Sequence, residues 1–211
     1  MKKIALMIIM CISFFSFAED VKLEYHFSDG SIEVKTVNSN LDELYIYKTN
    51  TTKVLGLDQL KNLNTIIINR AHYLKDYSFL SDAKNLEVLV LIFAETNSFE
   101  FLTDLEQLKA LIVQSSKINN YDIDLSNNNV MEYLELSNCN LLEPLNITGF
   151  PCSLSLINYA YNSISDFFPD SCNCYDLILS GNPIAEHIVN DHVITSSESS
   201  IIPDQYRRFL Q

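Results

Sequence analysis

Apolar positions recur along this chain with a period near 22 residues. The stretch Leu86-Glu87-Val88-Leu89-Val90-Leu91-Ile92-Phe93-Ala94 sets the template: Leu86, Leu89 and Leu91, then a small residue at Ala94. Alone it is a short apolar run bounded by Asn85 and Glu95, long enough for one buried strand. The same spacing opens at Leu41, Leu63, Leu86, Leu108, Met131, Leu154 and Cys174, at intervals of 22, 23, 22, 23, 23 and 20 residues. The other triplets are Leu41/Leu44/Ile46, Leu63/Ile66/Ile68, Leu108/Leu111/Val113, Met131/Leu134/Leu136, Leu154/Ile157/Tyr159 and Cys174/Leu177/Leu179. Self-similarity of this kind decides the fold before any local assignment, because each unit buries its apolar face only by stacking on its neighbours. The triplets point inward, and the residues between them point outward from a parallel sheet. Equivalent residues of successive units then form ladders with rungs about 4.8 Å apart.

The motif resembles the leucine-rich repeat, L-x-x-L-x-L-x-x-N/C-x-L. In two units the second half sharpens the match: Val54, Leu57, Leu60 and Phe99, Leu102, Leu105 step by three, as in the 22-residue class of bacterial internalins. The resemblance covers residues 41–190 in seven copies. It implies an α/β leucine-rich-repeat solenoid with a parallel sheet on the concave face, and recognition of proteins outside the cytoplasm. One position departs from the pattern. The Asn whose side chain holds the turn reads Thr49, Ala71, Ala94, Ser116, Cys139, Asn162 and Asn182. Thr, Ser and Cys partly substitute; Ala71 and Ala94 do not, so the backbone there needs water or another partner.

The ends of the chain read differently. Lys2 and Lys3, an apolar run from Ile4 to Phe17 and a small residue at Ala18 form a secretory signal peptide, residues 1–18. Its apolar run falls short of the about 20 residues a membrane-spanning helix needs. The expectation is a secreted or periplasmic protein that starts at Glu19 and has no membrane insertion. Residues 19–40 read as an N-terminal cap. Val21, Leu23, Tyr25 and Phe27 alternate with polar residues, Asp29-Gly30 supplies a two-residue hairpin turn, and Ile32 and Val34 alternate on the return. Such a β-hairpin would cover the first core layer of a solenoid. Residues 191–211 form a C-terminal tail or cap, with a polar linker from Thr195 to Ser200 and a short helix over Pro203–Leu210.

Charge narrows the partners. The chain has 14 basic and 27 acidic residues, and loss of the leader removes two of the basic ones. Nucleic acid and anionic lipid both require clustered positive charge, so neither is an expected partner. The outward ladders carry more information. One reads Tyr45, Ile67, Val90, Ile112, Glu135, Asn158, Ile178; the next reads Tyr47, Asn69, Ile92, Gln114, Ser137, Ala160, Ser180. Together with Val88, the first four units place Tyr45, Tyr47, Ile67, Val88, Val90, Ile92 and Ile112 on one face, and a contiguous exposed apolar face marks a contact site. Two other readings stay open: plain strand propensity of β-branched residues, or a C-terminal tail folded back over them.

Other chemistry is thin. Cys139, Cys152, Cys172 and Cys174 remain after the leader. Cys152 and Cys172 each lie two residues before a repeat start and are expected to stack as a disulfide; Cys139 and Cys174 take core positions. No paired C-x-x-C suggests zinc, and neither metal nor cofactor is expected. Glu186-His187 and Asp191-His192 share one side of a hypothetical helix, and that alone does not make a catalytic site. No Gly-rich phosphate loop, G-x-S-x-G elbow or H-E-x-x-H appears, so nothing argues for an enzyme. Asn50-Thr51-Thr52 and Asn146-Ile147-Thr148 match the glycosylation sequon. The reading is an exported binding protein that recognises a protein ligand through its concave sheet. The alternative is a self-associating envelope protein that uses the same patch as a homodimer interface.

Overall fold

The computed structural model describes residues 19–165, 176–183, 193–194 and 202–209. The signal peptide, Cys172, Cys174 and the Glu186-His187 and Asp191-His192 pairs lie outside the described residues. The strands are β1 (Asp20–Phe27), β2 (Ile32–Asn38), β3 (Glu43–Ile46), β4 (Thr51–Leu55), β5 (Thr65–Asn69), β6 (Val88–Ile92), β7 (Glu95–Thr96), β8 (Ala110–Gln114), β9 (Lys117–Ile118), β10 (Asp122–Asp124), β11 (Tyr133–Ser137), β12 (Asn146–Thr148), β13 (Leu156–Asn158), β14 (Asp176–Ile178) and β15 (Val193–Ile194). One short helix, α1, spans Asp204–Arg207.

Eight strands form one parallel sheet in the order β15-β14-β13-β11-β8-β6-β5-β3. Its register follows the repeat. Leu44, Ile66, Leu89, Leu111, Leu134, Ile157 and Leu177, the second apolar residue of each unit, pair in succession. Their side chains, with those of the flanking apolar positions, fill one continuous core from Leu23 to Leu179. The opposite wall consists of short 3₁₀ turns at Leu57–Gln59, Ser78–Asp82 and Glu100–Asp104, and of small strand pairs β7-β9 and β10-β12. The step-of-three residues Val54, Leu57, Leu60, Phe99, Leu102 and Leu105 are all buried. Helix is scarce among the described residues, so the fold is a parallel-sheet solenoid and the α/β label fits it only loosely.

Each unit after the first leaves its strand through the same backbone device. Arg70, Phe93, Ser115, Asn138 and Tyr161 have φ of 58, 50, 49, 53 and 56°, and Gly181 takes the next place in the column at 73°. The left-handed conformation is disfavoured for L-residues, so something must offset it. Each of the five N–H groups donates to the carbonyl of the next unit: Ile92, Gln114, Ser137, Ala160 and Ser180, at 2.8–3.1 Å. The ladder thereby continues past the strand into the turn. Only glycine fits at 181, where a Cβ would lie 2.6 Å from the Tyr161 ring.

The Asn column lies just after this turn. Asn162 accepts hydrogen bonds at Oδ1 from Cys139 N (2.8 Å) and Leu141 N (3.1 Å), and donates to Leu136 O and Tyr159 O at 2.7 and 2.8 Å. Asn182 repeats the pattern toward Ile164 N and Tyr159 O. Where the column reads Ala94, the next unit supplies the partner: Ser116 Oγ accepts from Ala94 N at 3.0 Å. Glu95 follows, its carboxylate held by Asn119 (2.9 Å) and by the ammonium groups of Lys75 and Lys117 (3.1 Å each). Those donors, Asn119 first, lower its pKa to about 2.

The cap is a three-stranded antiparallel sheet, β2-β1-β4, with Leu23 and Tyr25 buried against the first core layer. Its hairpin corrects the expected two-residue turn. Phe27 pairs with Ser31, leaving the three-residue loop Ser28-Asp29-Gly30, with Gly30 left-handed at φ 83°. This is the geometry of a turn followed by a left-handed bulge residue. It shifts the register by one residue, so Tyr25 faces Glu33 and Leu23 faces Lys35. A one-residue shift exchanges the two faces of a strand. Ile32 and Val34 therefore lie on the solvent side, 56 % and 54 % exposed.

Candidate binding site on the concave sheet

The outward ladders pair as the repeat demands: Tyr45 with Ile67, then Val90, Ile112, Glu135, Asn158 and Ile178 in turn. The expectation of one exposed apolar surface fails at its centre. Ile67, Val90 and Ile112 are 7 %, 0 % and 0 % exposed, and Val88 and Ile92 are partly buried. Tyr45 and Tyr47, at the N-terminal end, stay open at 55 % and 63 %. The covering element is the C-terminal segment. Ile202, Tyr206 and Phe209 join Ile67, Val90, Ala110, Ile112, Tyr133 and Leu156 in a second buried cluster. The patch that was to meet a second copy in a homodimer is thus filled from within.

The docking is specific. Pro203 sets the start of α1, which ends after one turn. The Tyr206 ring stacks on Tyr133, with centroids 5.4 Å apart and planes 9° from parallel. Gln205 Nε2 and the Tyr206 hydroxyl both donate to Glu132 Oε2 at 3.3 Å. Burial first, and then the Glu132 carboxylate, push the Tyr206 phenol above its ordinary pKa. Farther along, Arg208 pairs with Glu43 at 2.9 Å. Glu43 in turn takes a hydrogen bond from the Tyr45 hydroxyl and raises that phenol's pKa. The exposed Tyr45 therefore borders the segment's footprint, and Lys35 lies 5.8 Å from the Tyr47 ring.

Past the apolar floor the face turns polar. Glu135 is buried, and it accepts hydrogen bonds from the Tyr133 hydroxyl, Gln114 Nε2 (2.8 Å) and Ser137 Oγ (2.5 Å). Satisfying a buried carboxylate this way avoids the penalty of an unpartnered polar group. At the rim, the left-handed column displays Phe93 and Tyr161, with the Arg70 guanidinium 5.3 Å from the Phe93 ring. The contributions of Ala110, Tyr133 and Leu156 belong to a third outward ladder, Glu43, Thr65, Val88, Ala110, Tyr133, Leu156 and Asp176, whose four consecutive apolar rungs were the available sign of them. The spacing Ile202, Tyr206, Phe209, with steps of four and three, was the available sign of the segment's buried side.

Of the expected Cys152–Cys172 pair, only Cys152 lies among the described residues, where it is an exposed free thiol in the turn that Leu154 N fastens to Pro151 O at 3.1 Å. Cys139 is free and buried in the Asn column, and burial pushes its thiol up to about 12. No described helix is long and apolar enough to cross a membrane.

No family model matches the sequence, and no curated protein does. Among solved structures the chain is similar to an internalin (inlF) of Listeria monocytogenes, at 17 % identity over 72 % of this chain and 54 % of that one, with a TM-score of 0.45. It is also similar to internalin C2 (inlC2) of that organism, at 17 % identity over 67 % and 48 %, with a TM-score of 0.35. The chain spans about half the length of these structures. The second apolar residues of seven units, in unbroken register through one parallel sheet, give this chain the solenoid architecture that its leucine-rich-repeat pattern predicts.

Proposed function

We propose that the chain is an exported binding protein that recognises a protein ligand through its concave sheet. One observation carries the reading. Tyr45 and Tyr47 stand exposed at the N-terminal end of the concave ladder, beside a groove already shaped to hold an amphipathic chain segment. Tyrosine is among the residues that most often anchor protein interfaces, since it offers a large rigid ring and a polar tip. The acidic rim at Glu43 and Glu132 suits a partner with basic side chains near its apolar anchors. The leader at residues 1–18 would deliver this surface outside the cytoplasm.

Photo-crosslinking tests the reading. Benzoylphenylalanine placed at 45 or 47 should capture one discrete protein when the chain is expressed in its native host. The same group at Asp104, exposed on the 3₁₀ wall, should not. Equal capture from all three positions, or from none, refutes concave recognition. The crosslinked chain itself should begin at Glu19; an intact Met1 refutes export by leader cleavage.

A further inference from the structure

We infer that the concave groove is a receptor for a short amphipathic segment of the partner, and that residues 202–209 are its built-in competitor. The inference rests on the concave sheet being the binding face, and it names the chemistry bound there. The two buried clusters share no residue: one fills the solenoid, the other lies wholly on the concave side of the sheet. Undocking the segment therefore opens no part of the main core, and a segment with that property is free to exchange as a local unit. Its polar contacts point the same way. Arg208 is 61 % exposed in its pair with Glu43, and Gln205 and Tyr206 reach Glu132 only at 3.3 Å. Exposed pairs of this kind contribute little and weaken with salt, so the three apolar anchors do most of the holding.

What the segment leaves behind is a floor of Ile67, Val90, Ala110, Ile112, Leu156 and the Tyr133 ring. A contiguous apolar floor of this size marks a contact site, and an amphipathic segment laid across it is what covers it here. The anchors specify the pattern: an apolar residue, an aromatic four residues on that stacks on Tyr133, and a second aromatic three beyond it. A basic residue just before the last anchor meets Glu43. A partner segment with this pattern binds only as the chain's own segment leaves, so access to the site is set by competition.

The test uses the full mature chain and a fluorescein-labelled peptide of residues 200–211. The tethered segment sits at millimolar effective concentration, so the peptide should bind wild type weakly. The double variant Tyr206→Ala, Phe209→Ala should bind it at least tenfold more tightly, and adding Val90→Asp should abolish that gain. Equal affinity for wild type and the double variant overturns the inference, as does no binding to a double variant with native circular dichroism. If the double variant does not fold, hydrogen exchange of wild type decides. Amides of Tyr206 and Phe209 that exchange faster than those of β8 support a separable segment; equal protection refutes it. No foreign protein enters this titration, so it can succeed where crosslinking from Tyr45 fails, and the reverse.

Discussion

Removing the Asn162 side chain is the sharpest test of how the turns are held. Its Oδ1 is the acceptor for Cys139 N and Leu141 N, at 2.8 and 3.1 Å in a buried turn. Its amide also donates to Leu136 O and Tyr159 O, but the Tyr159 carbonyl keeps a second donor in Asn182 at 2.8 Å. The Asn162→Ala variant thus leaves two N–H groups without a partner. A buried orphan of this kind costs about 1–3 kcal/mol, so the expected loss is about 4 kcal/mol. Asn162→Ser should lose about half as much, because a serine hydroxyl in this column accepts one backbone N–H, as Ser116 does for Ala94. The chain has no tryptophan, so urea unfolding is best followed by far-ultraviolet circular dichroism. With a slope of about 2 kcal/mol per molar urea, the alanine midpoint should fall by about 2 M. Amides of Cys139 and Leu141 should lose exchange protection before those of distant units, since repeats couple only to their neighbours. A loss under about 1 kcal/mol would refute the reasoning, as would serine costing as much as alanine.

Two further outcomes are expected. Ile68→Asp places a charge in the main core and should unfold the chain, whereas Ile67→Asp, in the separate concave cluster, should release residues 202–209 and leave the solenoid folded. Circular dichroism with limited trypsin digestion at Arg207 and Arg208 distinguishes the two, and unfolding by both would show that the concave cluster is part of one cooperative core. The Glu95 carboxyl is held down to about 2 in the folded protein, from an ordinary value of 4.5. The stability it contributes is fully present above that ordinary value and is lost as pH falls through it toward about 2. The difference in Tm between wild type and Glu95→Gln should therefore shrink as the pH of the melts falls across this window.

The seven strands, their register and the inward faces were determined by the sequence alone. Inward and outward positions alternate within each strand, and a fixed period brings the same residue type to the same rung each time. Leu44, Ile66 and Leu89 have to align, because any slip would put polar side chains in the core. The alternation within β1 was equally legible, since Leu23 and Tyr25 face the core whatever their partner strand does. Tertiary structure decided what depends on a turn or on a distant contact. The loop Ser28-Asp29-Gly30 is one residue longer than the Asp-Gly signal suggests, and that residue turned Ile32 and Val34 to solvent. Ala94 borrows its partner from Ser116, a whole unit away. Above all, the concave ladder is apolar to the same degree whether it waits for a ligand or lies beneath the chain's own end. Ile202, Tyr206 and Phe209 stand outside the repeat, so no period tied them to Val90 or Tyr133. Only packing between residues far apart in the chain could show that they cover the face, because burial is a property of what comes near and not of the residue itself.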